Sequence, residues 1–295
     1  MWKLSLLEKT SNRCTGCSIC DGFGCIDQLP GWGGINANAN FIANCESWND
    51  IKVSGIENYS IPEISLAPIT GAIQNLGTKD EEAFYFDYLS SGKEANIFLS
   101  IGDGAPDYKL QFGIKALKDL SAKAAVFIKP YINKEFLKRI EWAIPVASHI
   151  GIDIDSWQIK TMDGQASMEK KSLQQLLEIK ENIPQKIPFV VKGICSEETV
   201  ALAIKLKPDA VVISNHGGRV QAKEIGTAYL LQKFYKTLND NNIECWVDGG
   251  LRSKEHLLKA SALGAKRVLI GRPFVQGALA IGKKGIKEIL NNNFS

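Results

Sequence analysis

The stretch "DAVVISNHGGRV" (residues 209–220) carries an apolar run directly into a turn of Ser, Asn, His, two Gly and Arg. An apolar run without alternating polar residues is typical of a parallel strand that is buried on both faces. Similar runs recur along the chain at residues 63–69, 95–101, 124–130, 148–155, 187–193, 244–250 and 267–273. We therefore expect eight strands of one parallel sheet.

Helical patterns occupy the intervals between these runs. Segment 172–183 places Leu173, Leu176 and Leu177 on one face. Segments 196–207 and 253–264 open with Ser196 and Ser253, and Ser196 with Glu198 forms a loose capping signature. Gly264 is a candidate helix-terminating glycine. Strands alternating with helices predict an α/β fold, a (β/α)8 TIM barrel, with a doubly wound open sheet as the alternative.

The predicted barrel occupies residues 63–295. Residues 1–62, rich in Gly, Asn and Cys, are expected to form an N-terminal capping segment over one barrel mouth, and the terminal "NNNFS" is expected to fray. The net charge of +3 does not favour a nucleic-acid or membrane partner. No apolar run approaches the roughly 18 residues of a spanning helix, and the start does not resemble a signal peptide. These features predict a cytoplasmic protein and leave a homo-oligomer open.

Polar residues stand where nearly every predicted strand ends. Functional groups of a (β/α)8 barrel lie at these carboxyl-terminal ends, and a barrel that served only as a scaffold would have little reason for such residues. The sequence therefore predicts an active site at this mouth. The strand ends offer Pro68, Ile69 and Thr70, then Ser100, Lys129, Tyr131, Asp153, Asp155, Lys192, Ser214, Asn215, His216, Arg219, Asp248, Gly249, Gly250, Arg252, Gly271 and Arg272.

Two groups of strand-end residues indicate a chemistry. The "VDGGLRS" and "LIGRP" ends combine glycines, which let backbone N–H groups approach an anion, with arginines that bind phosphate, although a tight turn alone would also use glycines. His216 with Arg219 nearby, and Asp155 across the mouth, suggests a general base beside an anion-binding group. A structural histidine is the alternative. Lys192 alone is compatible with a ring contact, a Schiff base or an ion pair.

The sequence then resembles a known family. The stretches "VVKGICSEETVALAIKLKPDAVVISNHGGR" and "DGGLRSKEHLLKASALGAKRVLIGRP" are similar to the FMN-dependent 2-hydroxyacid oxidase/dehydrogenase family, which includes glycolate oxidase, lactate oxidase and flavocytochrome b2. The resemblance is strong over residues 187–277 and moderate over 63–155. Within the family, the cysteine-rich start, "FIKP" and "DID" resemble a bacterial group of α-hydroxy-acid oxidizing proteins.

The resemblance implies an FMN-dependent enzyme that oxidises a small 2-hydroxy acid to the 2-keto acid, with a hydride equivalent passing to flavin N5. It implies that His216 is the base, that Arg219 binds the substrate carboxylate, that Asp155 stabilises the imidazolium and that Tyr131 lies near the substrate. The FMN-binding residues that it implies are Ala67, Pro68, Thr70, Ser100, Lys129, Lys192, Ser214, Asp248, Gly249, Gly250, Arg252, Gly271 and Arg272.

Some positions depart from the family pattern. Lys129 stands where most members carry glutamine and Asp153 where many carry threonine, and we expect these two to pair. The segment "SWQIKTMDG" lacks the arginine that usually supplies a second carboxylate contact and offers Lys160 nearby. The substrate and the electron acceptor therefore stay open. A reaction like that of type 2 isopentenyl diphosphate isomerase is one alternative function.

The cysteine cluster of Cys14, Cys17, Cys20 and Cys25 supplies the other alternative, a flavin- or thiol-based redox sensor. Its C-x2-C-x2-C-x4-C spacing resembles a ferredoxin motif without matching it, since the last spacer differs and Ile26 stands where proline is usual. We therefore predict free thiols rather than an iron–sulfur or zinc site, and no metal among the site residues.

Overall fold

The structure is a computed structural model that describes residues 38–76, 78, 80–159, 166–220 and 225–295. Its framework is one sheet of eight parallel strands. In chain order these are β1 (Glu63–Leu66), β2 (Ser100–Gly102), β3 (Ala124–Ile128), β4 (Ala147–Asp153), β5 (Phe189–Ile194), β6 (Ala210–Ile213), β7 (Glu244–Asp248) and β8 (Arg267–Ile270). All eight lie in or overlap the predicted runs.

The sheet closes into a barrel. Strand order runs from β1 through β8 and then down to β2, and each strand pairs in parallel with its neighbours. The chain just before β2 completes the ring, because Leu66 N donates to Phe98 O at 2.9 Å and Phe98 N donates to Ile64 O at 3.0 Å. This closure confirms the (β/α)8 barrel and rules out the doubly wound open sheet.

Helices surround the barrel. They are α1 (Asn38–Asp50), α2 (Glu81–Glu94), α3 (Tyr108–Asp119), α4 (Asn133–Ala143), α5 (Leu173–Glu181), α6 (Glu197–Leu206), α7 (Thr227–Asp240), α8 (Lys254–Ala262), α9 (Arg272–Ile281) and α10 (Gly285–Ile289). The serine before α6 caps it as expected, but Thr199 rather than Glu198 completes the capping box. Gly264 ends α8 with a φ of +92°, as predicted. Among the described residues, no helix has both the length and the apolar character needed to cross a bilayer.

Strand side chains alternate between two buried environments. Alternate residues, including Phe127, Val190, Val212 and Trp246, form a cluster inside the barrel. The residues between them face the helices and belong to the larger outer core. Because side chains in a strand repeat every two residues, the next inward position beyond each interior residue lies at the carboxyl-terminal mouth. The interior cluster therefore forms the floor beneath the strand-end residues.

Helix α1 lies over this mouth. Trp48, which is fully buried, donates its indole N–H to Gly249 O at 2.8 Å. Lys259 of α8 donates to Trp48 O at 2.9 Å. The part of the predicted capping segment that the structure describes thus contacts the barrel directly. The division at residues 62 and 63 stays a prediction, since residues 1–37 lie outside the described residues.

The carboxyl-terminal end packs against the barrel. Phe294 is 2% exposed, and its ring centroid lies 6.0 Å from that of Phe274. Gly277 of α9 and Gly285 of α10 let the two backbones cross, because a Cβ built on Gly285 would lie 1.8 Å from Gly277 O. The expectation that "NNNFS" frays is therefore wrong, since one apolar side chain in this polar segment anchors it.

Replacing Phe127 by alanine should destabilise the protein by about 3–5 kcal/mol, because its ring is fully buried within the barrel and leaves a cavity that the strands cannot close. Phe86→Ala is the matched control, since that ring is 43% exposed. Chemical denaturation of both variants measures the difference. Equal losses in the two variants would contradict a packed barrel interior.

Candidate active site

The Ser-Asn-His-Gly-Gly turn after β6 adopts an unusual backbone conformation. His216, Gly217 and Gly218 all have positive φ, at 58°, 64° and 85°. Left-handed backbone is uncommon for a histidine and marks a conformation that the surroundings must hold. Ser214 Oγ accepts from His216 N at 3.1 Å, and Asn215 Oδ1 accepts from Gly218 N at 3.1 Å. The residue order of the motif therefore supplies the bonds that stabilise its own turn.

Helix α1 holds this turn from above. Asn44 donates from Nδ2 to Asn215 Oδ1 at 2.7 Å, and Asn215 donates from Nδ2 to Asn44 Oδ1 at 2.9 Å. Both side chains are fully buried, and Thr227 N also donates to Asn44 Oδ1 at 3.2 Å. The sequence analysis missed Asn44, because nothing in its local pattern connects it to a turn 171 residues away.

His216 has a partner at each ring nitrogen. Nδ1 lies 3.2 Å from Asp155 Oδ1, as the sequence predicted, and Nε2 lies 3.0 Å from Lys129 Nζ. Gly193 makes room for the carboxylate, since its φ is +104° and a Cβ there would lie 2.6 Å from the carboxyl carbon of Asp155. A glycine within an apolar strand is a sequence signal that could have indicated this close approach.

The imidazole of His216 is neutral at ordinary pH. Burial, together with the charges of Lys129 and Lys192, lowers its pKa to about 4 against the opposing effects of Asp155 and Asp153. A lysine ammonium can only donate, so Nε2 accepts and the proton is assigned to Nδ1, directed at Asp155. This is the tautomer in which Nε2 has a lone pair for an incoming proton.

Four charged side chains form a buried row of alternating sign across the mouth. Lys129 Nζ lies 2.9 Å from Asp153 Oδ2, which confirms their expected pairing, and Lys192 Nζ lies 3.2 Å from Asp153 Oδ1. Lys192 Nζ is also 3.6 Å from Asp248 Oδ2. Although burial by itself raises the pKa of Asp153, the two lysines outweigh it and hold that pKa below its usual range. Burial raises the pKa of Asp248.

The mouth encloses a cavity with an excess of positive charge. Among the described residues that line it, six are basic and three are acidic. Such an imbalance in a buried space favours anionic ligands. The basic residues are Lys109, Lys129, Lys192, Arg219, Arg252 and Arg272, and the acidic residues are Asp103, Asp153 and Asp248.

One end of the cavity suits a phosphate group. Helix α9 begins at Arg272 with no side-chain cap and no acidic residue in its first turn, so its amino terminus presents N–H groups and a positive dipole. The Phe41 ring of α1 packs against the Arg272 guanidinium. Its centroid lies 3.9 Å from Cζ of Arg272 and 5.9 Å from Cζ of Arg252. This donor set fits the phosphate of FMN, and Gly249, which also lines the cavity, has a φ of +85°.

The structure brings most of the predicted site residues to this cavity. It is lined by Ala67, Pro68, Thr70, Lys129, Asp153, Lys192, His216, Arg219, Asp248, Gly249, Gly250, Arg252, Gly271 and Arg272. Asp155 and Ser214 are not among the lining residues, but they bond the ring and the backbone N–H of His216. Lys160 and the four clustered cysteines lie outside the described residues.

Ser100 and Tyr131 do not line the cavity, despite their predicted roles. The Ser100 hydroxyl is buried in the barrel wall, 3.0 Å from Ser65 Oγ. The ring of Tyr131 packs under the Arg139 guanidinium, 4.0 Å from its Cζ. The sequence pattern placed both residues at strand ends, and in the structure their side chains contact Arg139 and Ser65. Their roles at the site stay predictions.

Asp103 is a cavity residue that the sequence analysis missed. It is fully buried, and burial raises its pKa to about 7, although Arg139, whose Nε lies 3.2 Å away, opposes the rise. The residue directly follows β2, so the strand-end rule would have found it had the strand been placed at Ser100–Gly102 rather than at 95–101.

A metal ion is disfavoured among the described residues. Asp153, Asp155 and His216 offer ligand atoms within 4.8 Å of one another. The ammonium groups of Lys129 and Lys192 already neutralise Asp153, however, and would repel a cation. The absence of a metal stays a prediction that this charge arrangement supports.

Comparison with known proteins identifies the family. The sequence profile of the FMN-dependent dehydrogenase family matches residues 115–293, more than half of the chain. The chain therefore belongs to the FMN-dependent dehydrogenase family. This membership confirms the family that the sequence motifs predicted, and FMN as its cofactor.

Curated relatives match a shorter region. The chain is 37% identical to human 2-hydroxyacid oxidase 2 over 106 residues, which is 36% of this chain and 30% of that protein. It is 35% identical to the peroxisomal (S)-2-hydroxyacid oxidase GLO3 of Arabidopsis thaliana over 126 residues, 43% of this chain and 33% of that protein. The matched region thus spans about a third of the length of these relatives.

Solved structures share the fold. The flavin-binding domain of baker's yeast flavocytochrome b2 superimposes with a TM-score of 0.69 at 20% identity, covering 88% of this chain and 74% of that chain. Mandelate oxidase with (S)-2-phenylpropionate gives a TM-score of 0.65 at 20% identity, covering 86% and 81%. At this identity the similarity concerns the fold alone.

Replacing Asn44 by alanine should destabilise the protein by about 1–3 kcal/mol, because it leaves the buried amide of Asn215 without its partner. Asn241→Ala is the control, since that exposed amide bonds a nearby carbonyl within its own helix. Denaturant titration compares the two variants. A loss for Asn44→Ala no larger than the control's would show that the amide pair does not hold the turn.

Proposed function

We propose that this protein is an FMN-dependent oxidoreductase that oxidises a small 2-hydroxy acid to the corresponding 2-keto acid. The observation that carries the proposal is the neutral His216 imidazole, held by Asp155, which shares a cavity of excess positive charge with Arg219. Both of the aligned relatives are named as 2-hydroxyacid oxidases, which supports the substrate class.

The residues around the cavity divide into two groups for FMN. Gly249, Gly250, Arg252, Gly271 and Arg272 would hold the phosphate at the amino terminus of α9. Ala67, Pro68 and Thr70 would lie along the ring, with Lys129 and Lys192 placing ammonium groups beside it. When bound, FMN accepts the hydrogen and electron pair that leave the substrate α-carbon.

The protein's own groups would bind and deprotonate the substrate. Arg219, which lines the cavity, would bind the carboxylate, a geometry that suits a guanidinium. His216 would take the hydroxyl proton at Nε2. The Asp155 carboxylate, 3.2 Å from Nδ1, would then stabilise the imidazolium. Ser214 would keep the base in place, since its Oγ accepts from the His216 backbone N–H. Asp248 would keep Lys192 in place through their ion pair.

The charge balance of the cavity agrees with this ligand pair. The six basic and three acidic lining residues leave at least three positive charges in excess, because Asp103 has a raised pKa of about 7. A bound phosphate carries about −1.5 to −2 at neutral pH, and one carboxylate adds a further negative charge. FMN with a monocarboxylate substrate would therefore nearly neutralise the site. A cytoplasmic location and a homo-oligomeric state stay predictions from the sequence.

Purified protein should be yellow, and the flavin should bleach when a 2-hydroxy acid such as lactate or glycolate is added without oxygen. His216→Asn should bind FMN normally but bleach about 100- to 10,000-fold more slowly, because a general base contributes roughly that factor. Stopped-flow absorbance measures the rate of flavin bleaching in the wild type and in His216→Asn.

His149→Asn is the matched control, since that imidazole packs against Trp246 inside the barrel, and it should bleach at the wild-type rate. A flavin that no hydroxy acid bleaches would refute the proposed substrate class. Turnover of isopentenyl diphosphate by such a protein would favour the isomerase alternative.

Phe41→Ala should weaken FMN binding about threefold to tenfold, because the ring that supports Arg272 contributes roughly 0.5–1.5 kcal/mol through its cation–π contact. Quenching of FMN fluorescence on titration with apoprotein gives the dissociation constant. Phe86→Ala, on an exposed outer face, should bind as the wild type does. Unchanged affinity in Phe41→Ala would place the phosphate elsewhere.

A further inference from the structure

The proposed base already has a partner at the nitrogen that it needs for catalysis. Lys129 Nζ lies 3.0 Å from His216 Nε2 and 2.9 Å from Asp153 Oδ2. With Nδ1 directed at Asp155, both ring nitrogens are engaged. A substrate hydroxyl can reach Nε2 only if the ammonium group leaves that position.

The geometry of the barrel strands, and not a flexible surface contact, sets the position of Lys129. The residue continues the inward-facing series of β3 two residues after Phe127, so it enters the mouth directly above the barrel floor. Its side chain is 7% exposed and that of Asp153 is 4% exposed. At such burial the ammonium needs protein partners, because water cannot replace them.

We propose that Lys129 is a positioning residue that caps Nε2 of His216 in the resting protein and yields that atom to the substrate hydroxyl while staying bound to Asp153. The cap selects the tautomer with a lone pair on Nε2 and opposes protonation of the ring by solvent. This inference rests on the proposed function for its role in turnover, but the cap itself is a property of the protein without substrate.

Removing Lys129 leaves the remaining charges paired. Asp153 keeps its ion pair with Lys192 at 3.2 Å. The charged groups that then act on His216 are Asp155, Asp153 and Lys192, and Arg219 of the same turn lines the same cavity. The imidazolium would therefore lose its nearest cation and keep both carboxylates, so protonation of the ring becomes easier.

The test measures the protonation of His216 in Lys129→Met and Lys129→Gln. It uses ¹⁵N NMR of the imidazoles in the apo and the FMN-loaded protein. The chain has three histidines, so His149 and His256 serve as internal references. In Lys129→Met the pH of half-protonation of His216 should rise by about 1 unit or more, the usual effect of removing a like charge at this distance. Lys129→Gln, which keeps a neutral donor, should raise it while preserving the tautomer.

Lys109→Met is the control variant, because this third cavity lysine interacts electrostatically with Glu81 and is not among the charges that shift the pKa of His216; it should leave the His216 titration unchanged. If a 2-hydroxy acid is turned over, the acid limb of kcat/KM should move to higher pH in Lys129→Met together with the NMR value.

Two results would overturn the inference: an unchanged His216 titration in both Lys129 variants, or a wild-type signal showing the proton on Nε2 at neutral pH. The outcome is separable from the proposed function. A shifted titration without turnover of any hydroxy acid would refute the function and keep the cap, whereas turnover with an unshifted titration would refute the cap alone.

Discussion

The mouth of this barrel depends on one carboxylate between two buried ammonium groups. Asp153 lies 2.9 Å from Lys129 and 3.2 Å from Lys192, on neighbouring strands whose register places Asp153 directly beside Lys192. Isolated charges at this burial would be strongly destabilising, so each of the three requires the others. The pairing directs Lys129 toward His216 and leaves Lys192 at the cavity wall, which ties the orientation of the proposed catalytic groups to strand register.

A second set of contacts, largely independent of these charges, holds the His216 imidazole. The left-handed turn at His216 depends on short-range bonds within its own motif and on the amide pair between Asn215 and Asn44. Helix α1 thus acts at both ends of the cavity, since Phe41 also supports Arg272. One helix that precedes the barrel in sequence therefore contacts both the turn that carries His216 and the proposed phosphate end of the cavity.

The charges that line this cavity favour anionic ligands. Burial lowers the pKa values of His216 and Arg219 and raises that of Asp248, so the protein holds its site groups in a medium that screens charge poorly. In such a medium an anion that completes the charge balance gains more electrostatic binding energy than it would in water. A ring nitrogen that stays neutral remains available as a base.

The sequence by itself determined the barrel, the order of its strands and most residues at its mouth, because buried parallel strands leave uninterrupted apolar runs and functional residues follow directly after them. It also determined the pair of His216 and Asp155, which are brought together by strand ends that must converge. The tertiary structure alone decided which strand-end side chains face the cavity, since Tyr131 turns under Arg139 and Ser100 bonds Ser65. It likewise decided the contacts of Asn44 and the placement of Lys129 against His216. Those contacts join residues far apart in the chain, and no local pattern of residues encodes the direction in which two distant side chains meet.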